Sequence, residues 1–264
     1  MKILYIGDIM GQMGIQVVEK ILPELIKEKS IDLVIAQAEN VSEGKGITIN
    51  DYQRLKDLGV DFFTGGNWTL FRGEIIPLLK DIDEPIIRPA NYPLDYPGLG
   101  FKYISKNGKK VLVVSLLGKI VGKDSVLALD NPLKCIDEIL SSEKFTKTDA
   151  IVVNFHGDYS SEKVIIGHYL DGRVTTVIGD HWHVPTADAR VLPKGTAHIS
   201  DVGMCGSLDS SLGVKLESVV PRWKDNKHSL NILETKGKSQ FNAVLVESDS
   251  QGLAKSISPI QKYF

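Results

Sequence analysis

Five apolar, β-branched runs in this chain each stop at a short polar cluster, and that pattern limits the folds available to it. Lys2–Ile6 runs into Gly7-Asp8, Val34–Ala38 into Glu39-Asn40, and Val60–Thr64 into Gly66-Asn67. Ala150–Asn154 leads to His156, and Val174–Ile178 leads to Gly179-Asp180-His181-Trp182-His183. Runs of this kind read as buried strands. Ligands of open α/β sheets bind beyond the carboxyl ends of the strands, where these clusters fall. Side chains of an extended segment alternate, so His181 and His183 are expected on one side of the chain. Neutral imidazole is the commonest protein ligand for a transition metal. The set Asp8, Glu39, Asn40, Asn67, His156, His181 and His183 therefore reads as a metal site gathered from across the sequence.

The segments between these runs carry helical spacing. Gln16–Glu28 places Val17, Ile21 and Leu25 on one face, and Asn50–Leu58 is a second helix with Asn50 as its expected N-cap. Arg72–Lys80 is a short helix that Pro77 should interrupt. This β-α-β-α-β order implies parallel strands. A loop with four prolines spans 85–100. Phe101–Ser105 and Lys110–Leu117 then form a hairpin across Asn107-Gly108, a strong turn signal. Helices at Pro132–Ser142 and Ser161–Leu170 and strands near Ala197–Asp201 and Phe241–Glu247 complete the reading. Parallel pairing early and antiparallel pairing later suggest two packed sheets flanked by helices. With no repeat, linker or boundary visible, one domain over residues 1–264 is expected.

Composition excludes several classes. A formal charge of −2 with scattered Lys and Arg gives no basis for bulk nucleic-acid binding. Cys135 and Cys205, the only cysteines, are far apart and form no CxxC pair, which argues against a disulfide framework and for a cytoplasmic protein. The N-terminal run reaches Asp8 too soon for a signal-peptide core, and no run is long enough to cross a bilayer. Gly7, Gly11 and Gly14 follow a strand, but their spacing does not match a dinucleotide-binding loop, and Asp8 would oppose a pyrophosphate.

Each candidate ligand has a second reading when taken alone. Asp8 could cap a helix, Asn67 could serve a turn after Gly65-Gly66, and His156 could be a satisfied core histidine. A buried Glu39 without a partner is costly, and bridging two cations would remove that cost. As a set, these oxygen and nitrogen donors suit Fe, Mn or Zn better than Ca. Two such ions about 3.5–4 Å apart form the usual clamp for phosphoester displacement.

The residues also resemble a known family. Ile6-Gly7-Asp8-Ile9, Ala38-Glu39-Asn40 with Gly46-Ile47-Thr48, Gly66-Asn67, Arg88-Pro89-Ala90-Asn91-Tyr92-Pro93 and Ser161-Glu162-Lys163 are similar to motifs of the YmdB-type calcineurin-like metallophosphoesterases. So is the block from Tyr169 through His181-x-His183 to Asp201-Val202-Gly203-Met204. The resemblance runs almost end to end. It implies a four-layer α/β/β/α sandwich and a binuclear centre of two divalent metal ions, Fe or Mn ahead of Zn. It also implies hydrolysis of 2′,3′- and 3′,5′-cyclic nucleotides. Carried over by position, Asp8, Glu39, Asn40 and His183 would hold one ion. Glu39, Asn67, His156 and His181 would hold the other, with Glu39 bridging.

One departure bears on catalysis. The family's Gly-Asn-His, whose His is the proton donor, is here Gly66-Asn67-Trp68. An indole N–H donates a hydrogen bond but delivers no proton near neutral pH. The expectation is a small-molecule phosphodiesterase impaired on cyclic nucleotides. His168 and His198 are candidate replacement acids. The alternative is an inactive homologue that binds a nucleotide or a protein, with Trp68 stacking on a base. The family's Gly-Thr-His-Thr-His is also altered, to Gly179-Asp180-His181-Trp182-His183. Asp180 is then placed to change hydrogen bonding behind the ligands, and Trp182 is expected to point away from the two histidines. Association of like chains is compatible with this reading.

Overall fold

The computed structural model describes residues 1–121, 129–144 and 146–264. Its first strand, β1 (Lys2–Ile6), explains why the apolar runs do not alternate with polar residues. Leu4 and Ile6 face one hydrophobic core while Ile3 and Tyr5 face another. A strand covered on both faces needs apolar side chains on both.

The chain continues through β2 (Asp8–Ile9), α1 (Gly11–Lys29), β3 (Leu33–Gln37), α2 (Ile49–Asp57), β4 (Phe62–Thr64) and α3 (Ile76–Lys80). Next come β5 (Phe101–Lys106), β6 (Lys109–Leu117), α4 (Pro132–Ser142), β7 (Ala150–His156), α5 (Ser160–Tyr169) and β8 (Thr176–Asp180). The last part holds β9 (Arg190–Val191), β10 (Ala197–Ile199), β11 (Met204–Ser207), α6 (Leu216–Asp225), β12 (Ser239–Ser248) and β13 (Ala254–Tyr263). Among the described residues one sheet has the order β2-β11-β12-β1-β3-β4, with β13 along β12, and the other runs β5-β6-β7-β8-β10-β9.

Among the described residues, three of the apolar clusters hold four layers together. Leu4, Val34 and Phe63 of the first sheet pack with Ile15 and Leu22 of α1 and with Leu55 of α2. Between the sheets, Ile3, Tyr5 and Ile35 meet Val113, Val152 and Ile178. Outside the second sheet, Leu112, Val114 and Val153 meet Ile136 of α4 and Ile166 of α5. This is the α/β/β/α sandwich.

Several local expectations change. α1 begins at Gly11 rather than Gln16. A Cβ on Gly14 would run into the Cys205 carbonyl and Ile9, so its absence lets the first turn of α1 lie against β2 and β11. The cap of α2 is Thr48, whose hydroxyl accepts from Asp51 N at 3.2 Å, not Asn50. Pro77 sits in the first turn of α3, where its missing N–H costs nothing, and does not interrupt a helix. The hairpin across Asn107 and Gly108 forms, with both residues at positive φ. The later strands are more parallel than expected: β6, β7, β8 and β10 pair in parallel, and the antiparallel partners lie at β5, β9 and around β12. β13 carries no apolar run and exists through its ladder with β12. No described helix is long and apolar enough to cross a membrane.

Candidate metal centre

The parallel strands of the two sheets end side by side. Their ends bring together all seven residues singled out above, in two neighbouring groups. In the first, His156 Nε2 lies 2.9 Å from Glu39 Oε1 and 3.1 Å from Asn67 Oδ1. The His181 ring is 4.4 Å from the His156 ring, centroid to centroid. Glu39, His156 and His181 present ligating atoms within 4.8 Å of one another. In the second, His183 Nε2 lies 3.3 Å from Asn40 Oδ1 and 3.8 Å from Asp8 Oδ1.

Local bonds fix which atoms face inward. The Asn40 amide donates to Gly44 O at 2.9 Å, which turns Oδ1 toward His183. His183 Nδ1 donates to Leu212 O at 3.2 Å, which leaves a lone pair on Nε2. Two acceptors thus face each other in a buried place, an arrangement that repels until a cation lies between them. Asp8 adds to this demand: it is fully buried, its Oδ2 accepts from His181 N at 3.2 Å, and its Oδ1 has no hydrogen-bond partner among the described residues. The donor set and the orphaned carboxylate oxygen fit divalent metal ions.

Electrostatics point the same way. Burial, and then the Asp180 carboxylate, push Asp8 well above the usual carboxylate range. Burial pushes His183 down to about 4, with the nearby His181 adding to it, so this imidazole is neutral as a ligand must be. Burial alone would lower His156, but Glu39 and Asp180, one at each ring nitrogen, hold it well above its ordinary value. A proton or a metal ion on Nε2 answers the same demand.

Gly66 makes the first group compact, because a Cβ there would overlap the Glu39 carboxylate and the His156 ring. Tyr92 OH donates to Gly66 O at 2.7 Å and ties the Arg88–Pro93 motif to this turn. Trp68 enters through its backbone: its N–H donates to Glu39 Oε2 at 3.0 Å. Its indole meets the Lys45 ammonium, 3.9 Å from the ring centroid, and the edge of Phe71.

The two histidines of the His-x-His motif are not on an extended segment. β8 ends at Asp180, and His181 and His183 have φ of 102° and 63°. Long-range contacts hold this turn: His181 N to Asp8, and Trp182 N to Asp201 Oδ2 at 2.8 Å. The two rings therefore serve different groups rather than one. Trp182 packs behind the site over the buried Lys163 ammonium, 4.1 Å from its ring. His168 is exposed on α5, and His198 bonds Val177 O with its ring against Gly167, so neither candidate acid reaches the cluster.

Sequence reasoning missed Asp158, which lies 3.1 Å from His181 Nε2. It occupies the same kind of polar strand end as the others, two residues past His156, and that signal was sufficient to find it. Gln37 and the buried Lys163–Asp201 pair were also missed, since their roles rest on contacts distant in sequence.

Comparison with known proteins agrees with this architecture. The 2′,3′-cyclic-nucleotide 2′-phosphodiesterase of Bacillus subtilis (strain 168) is 38% identical over 251 residues, covering 95% of this chain and 92% of the relative. The crystal structure of a novel phosphatase from Mycoplasma pneumoniae superposes with a TM-score of 0.92 at 31% identity, over 100% of this chain and 93% of the other. That of a hypothetical protein from Thermus thermophilus gives 0.90 at 36% identity, over 100% and 99%. The profile described as YmdB-like protein matches residues 4–260, so the chain belongs to the YmdB-like family and carries its calcineurin-like metallophosphoesterase fold.

Proposed function

We propose that this chain, acting as one unit over residues 1–264, is a binuclear-metal phosphodiesterase. Its substrates are small phosphodiesters, cyclic nucleotides foremost, and its general acid is missing. The observation that carries this reading is the opposition of buried acceptors at Asn40, His183 and the unpartnered Asp8 oxygen, beside the Glu39–His156–His181 group. Asp8, Glu39, Asn40 and His183 would hold one ion and Glu39, Asn67, His156 and His181 the other. When bound, divalent ions polarise the phosphoryl oxygens and lower the pKa of water at the site. The Bacillus subtilis relative's name, a 2′,3′-cyclic-nucleotide 2′-phosphodiesterase, supports the substrate class.

The chain's own residues set what is lost. Trp68 stands at the position of the family's acid, and general acid catalysis contributes about 10²–10⁴-fold. A sugar alkoxide needs a proton as it departs, whereas an activated aryl oxide does not. The binding-module alternative, with Trp68 stacking on a base, is weakened by Lys45, which already covers one face of the indole. The test is steady-state hydrolysis with Mn²⁺ or Fe²⁺, comparing bis-p-nitrophenyl phosphate with a 2′,3′-cyclic nucleotide and using Asp8→Asn as the blank. The expected result is hydrolysis of the aryl ester, slow cyclic-nucleotide turnover, and a gain of about 10²-fold or more on the latter in Trp68→His. Equal rates on both substrates in the unmodified protein would place the acid elsewhere. Metal binding without hydrolysis of either would favour the binding module.

A further inference from the structure

Asp180 stands where the family's motif carries threonine, and the structure surrounds it with donors. It is fully buried. Oδ2 accepts from Tyr5 OH at 2.7 Å, from Gln37 Nε2 at 3.1 Å and from Asn154 Nδ2 at 2.6 Å. Oδ1 lies 2.6 Å from His156 Nδ1. The Gln37 amide is not free to turn, because its Oε1 accepts from Ala38 N and Glu39 N. Its amide nitrogen donates one of its two hydrogens to Asp180 Oδ2 and lies farther, at 3.4 Å, from His156 Nδ1. Both carboxylate oxygens are thus committed, one to a cage of neutral donors and one to the imidazole. A carboxylate only accepts, so His156 Nδ1 must donate, and Nε2 is the nitrogen left to face Glu39 and Asn67.

We infer that Asp180 is the positioning residue for His156, fixing its ring and its tautomer so that Nε2 is presented to the metal. This rests on the metal reading above and extends it to a residue outside the ligand set. A carboxylate behind a ligating histidine orients the ring and raises its basicity, and loss of such a partner typically weakens metal affinity 10–100-fold. Threonine at this position would offer the three donors Tyr5, Gln37 and Asn154 a single hydroxyl oxygen in place of two carboxylate oxygens.

The test reads metal rather than turnover. Mn²⁺ is titrated calorimetrically into the unmodified protein, Asp180→Asn and Asp180→Thr, with thermal melts of the metal-free forms as the folding control. The expected result is affinity about 10–100-fold weaker in both folded variants. Tyr5→Phe removes a cage donor but keeps the His156 contact, and it is expected to lower the melting temperature with far less change in Mn²⁺ affinity. A change confined to melting temperature in the Asp180 variants would overturn the inference. A second measurement needs no variant: nitrogen-15 imidazole spectra of the Zn²⁺-loaded protein should show His156 protonated at Nδ1, and the opposite tautomer would overturn it. Failure of the unmodified protein to bind Mn²⁺ or Zn²⁺ would remove the metal reading and this inference together. Unchanged affinity in both Asp180 variants would remove this inference alone.

Discussion

Gly66 shows how much of the centre depends on single atoms. The Glu39 carboxylate and the His156 ring approach the backbone where a Cβ would lie, and the next residues, Asn67 and Trp68, use that closeness to reach His156 and Glu39. Gly66→Ala should leave the fold in place while forcing this pair apart, at a cost of about 1–3 kcal/mol for overpacking. Calorimetric Mn²⁺ titration should show weaker binding with an unchanged circular-dichroism spectrum. Unchanged affinity would mean that the pair yields without losing its geometry. The residue scale is also where the sequence was most informative. Asp8, Glu39, Asn67 and His156 sit at strand ends as the apolar runs implied, because a buried strand must end before the chain can expose a polar ligand.

At the scale of elements, α5 holds the turn that carries His181 and His183. Lys163 Nζ donates to Asp180 O at 2.5 Å and to Asp201 Oδ2 at 2.8 Å, with both side chains fully buried. Burial raises Asp201 above the usual carboxylate range, with Lys163 opposing that rise. Removing one partner leaves the other charge uncompensated, so Lys163→Met should destabilise the protein by about 3–5 kcal/mol in denaturant unfolding. Adding Asp201→Leu should recover part of that loss. A loss under about 1 kcal/mol would class the pair with exposed ones. The following loop is clamped by Asp188, which accepts from Thr186 Oγ1 and Ser200 Oγ, each at 2.6 Å. Burial pushes Asp188 up, but the hydrogen bonds from Ser200 and Thr186 outweigh it and hold the carboxyl below its ordinary value. A carboxyl lowered on folding contributes stability above its unfolded pKa, and that contribution is lost as pH falls through the folded one. Asp188→Asn should therefore melt below the unmodified protein at neutral pH, and the gap should close in acid beneath the ordinary carboxylate range. A gap constant with pH would show that the carboxylate charge contributes nothing.

Across the whole molecule, the proposed ligands come from both sheets: Asp8, Glu39, Asn40 and Asn67 lie at strand ends of one, and His156, His181 and His183 at strand ends of the other. Metal bound by this set would therefore favour the state in which the sheets are docked. At a free Mn²⁺ concentration about 100 times Kd, the folded state should gain about 2.7 kcal/mol, and a chelator should reverse this. A melting temperature insensitive to Mn²⁺ and to chelator would mean that the site does not bind this ion in the folded state.

The sequence by itself determined the layers and seven of the polar residues gathered at the candidate site, but not Asp158, Gln37 or the Lys163–Asp201 pair. Short, continuous apolar runs rich in β-branched residues fit strands covered on both faces, and polar residues at the carboxyl ends of such parallel strands collect at one edge of the sheet. β13 and α6 were not legible in the same way, since β13 is a polar strand made by its partner and α6 leaves much of its apolar face exposed. Only the tertiary structure decided how the inventory is used. It bent the chain at His181 and His183 out of the extended geometry that local alternation assumes, which turns the two rings to the different groups that the family resemblance implied, and it placed Asp180 behind His156. Both outcomes rest on contacts between residues far apart in the chain, such as Asp8 with His181 and Tyr5 with Asp180. No pattern within a strand or helix encodes those contacts; they arise only when the two sheets pack.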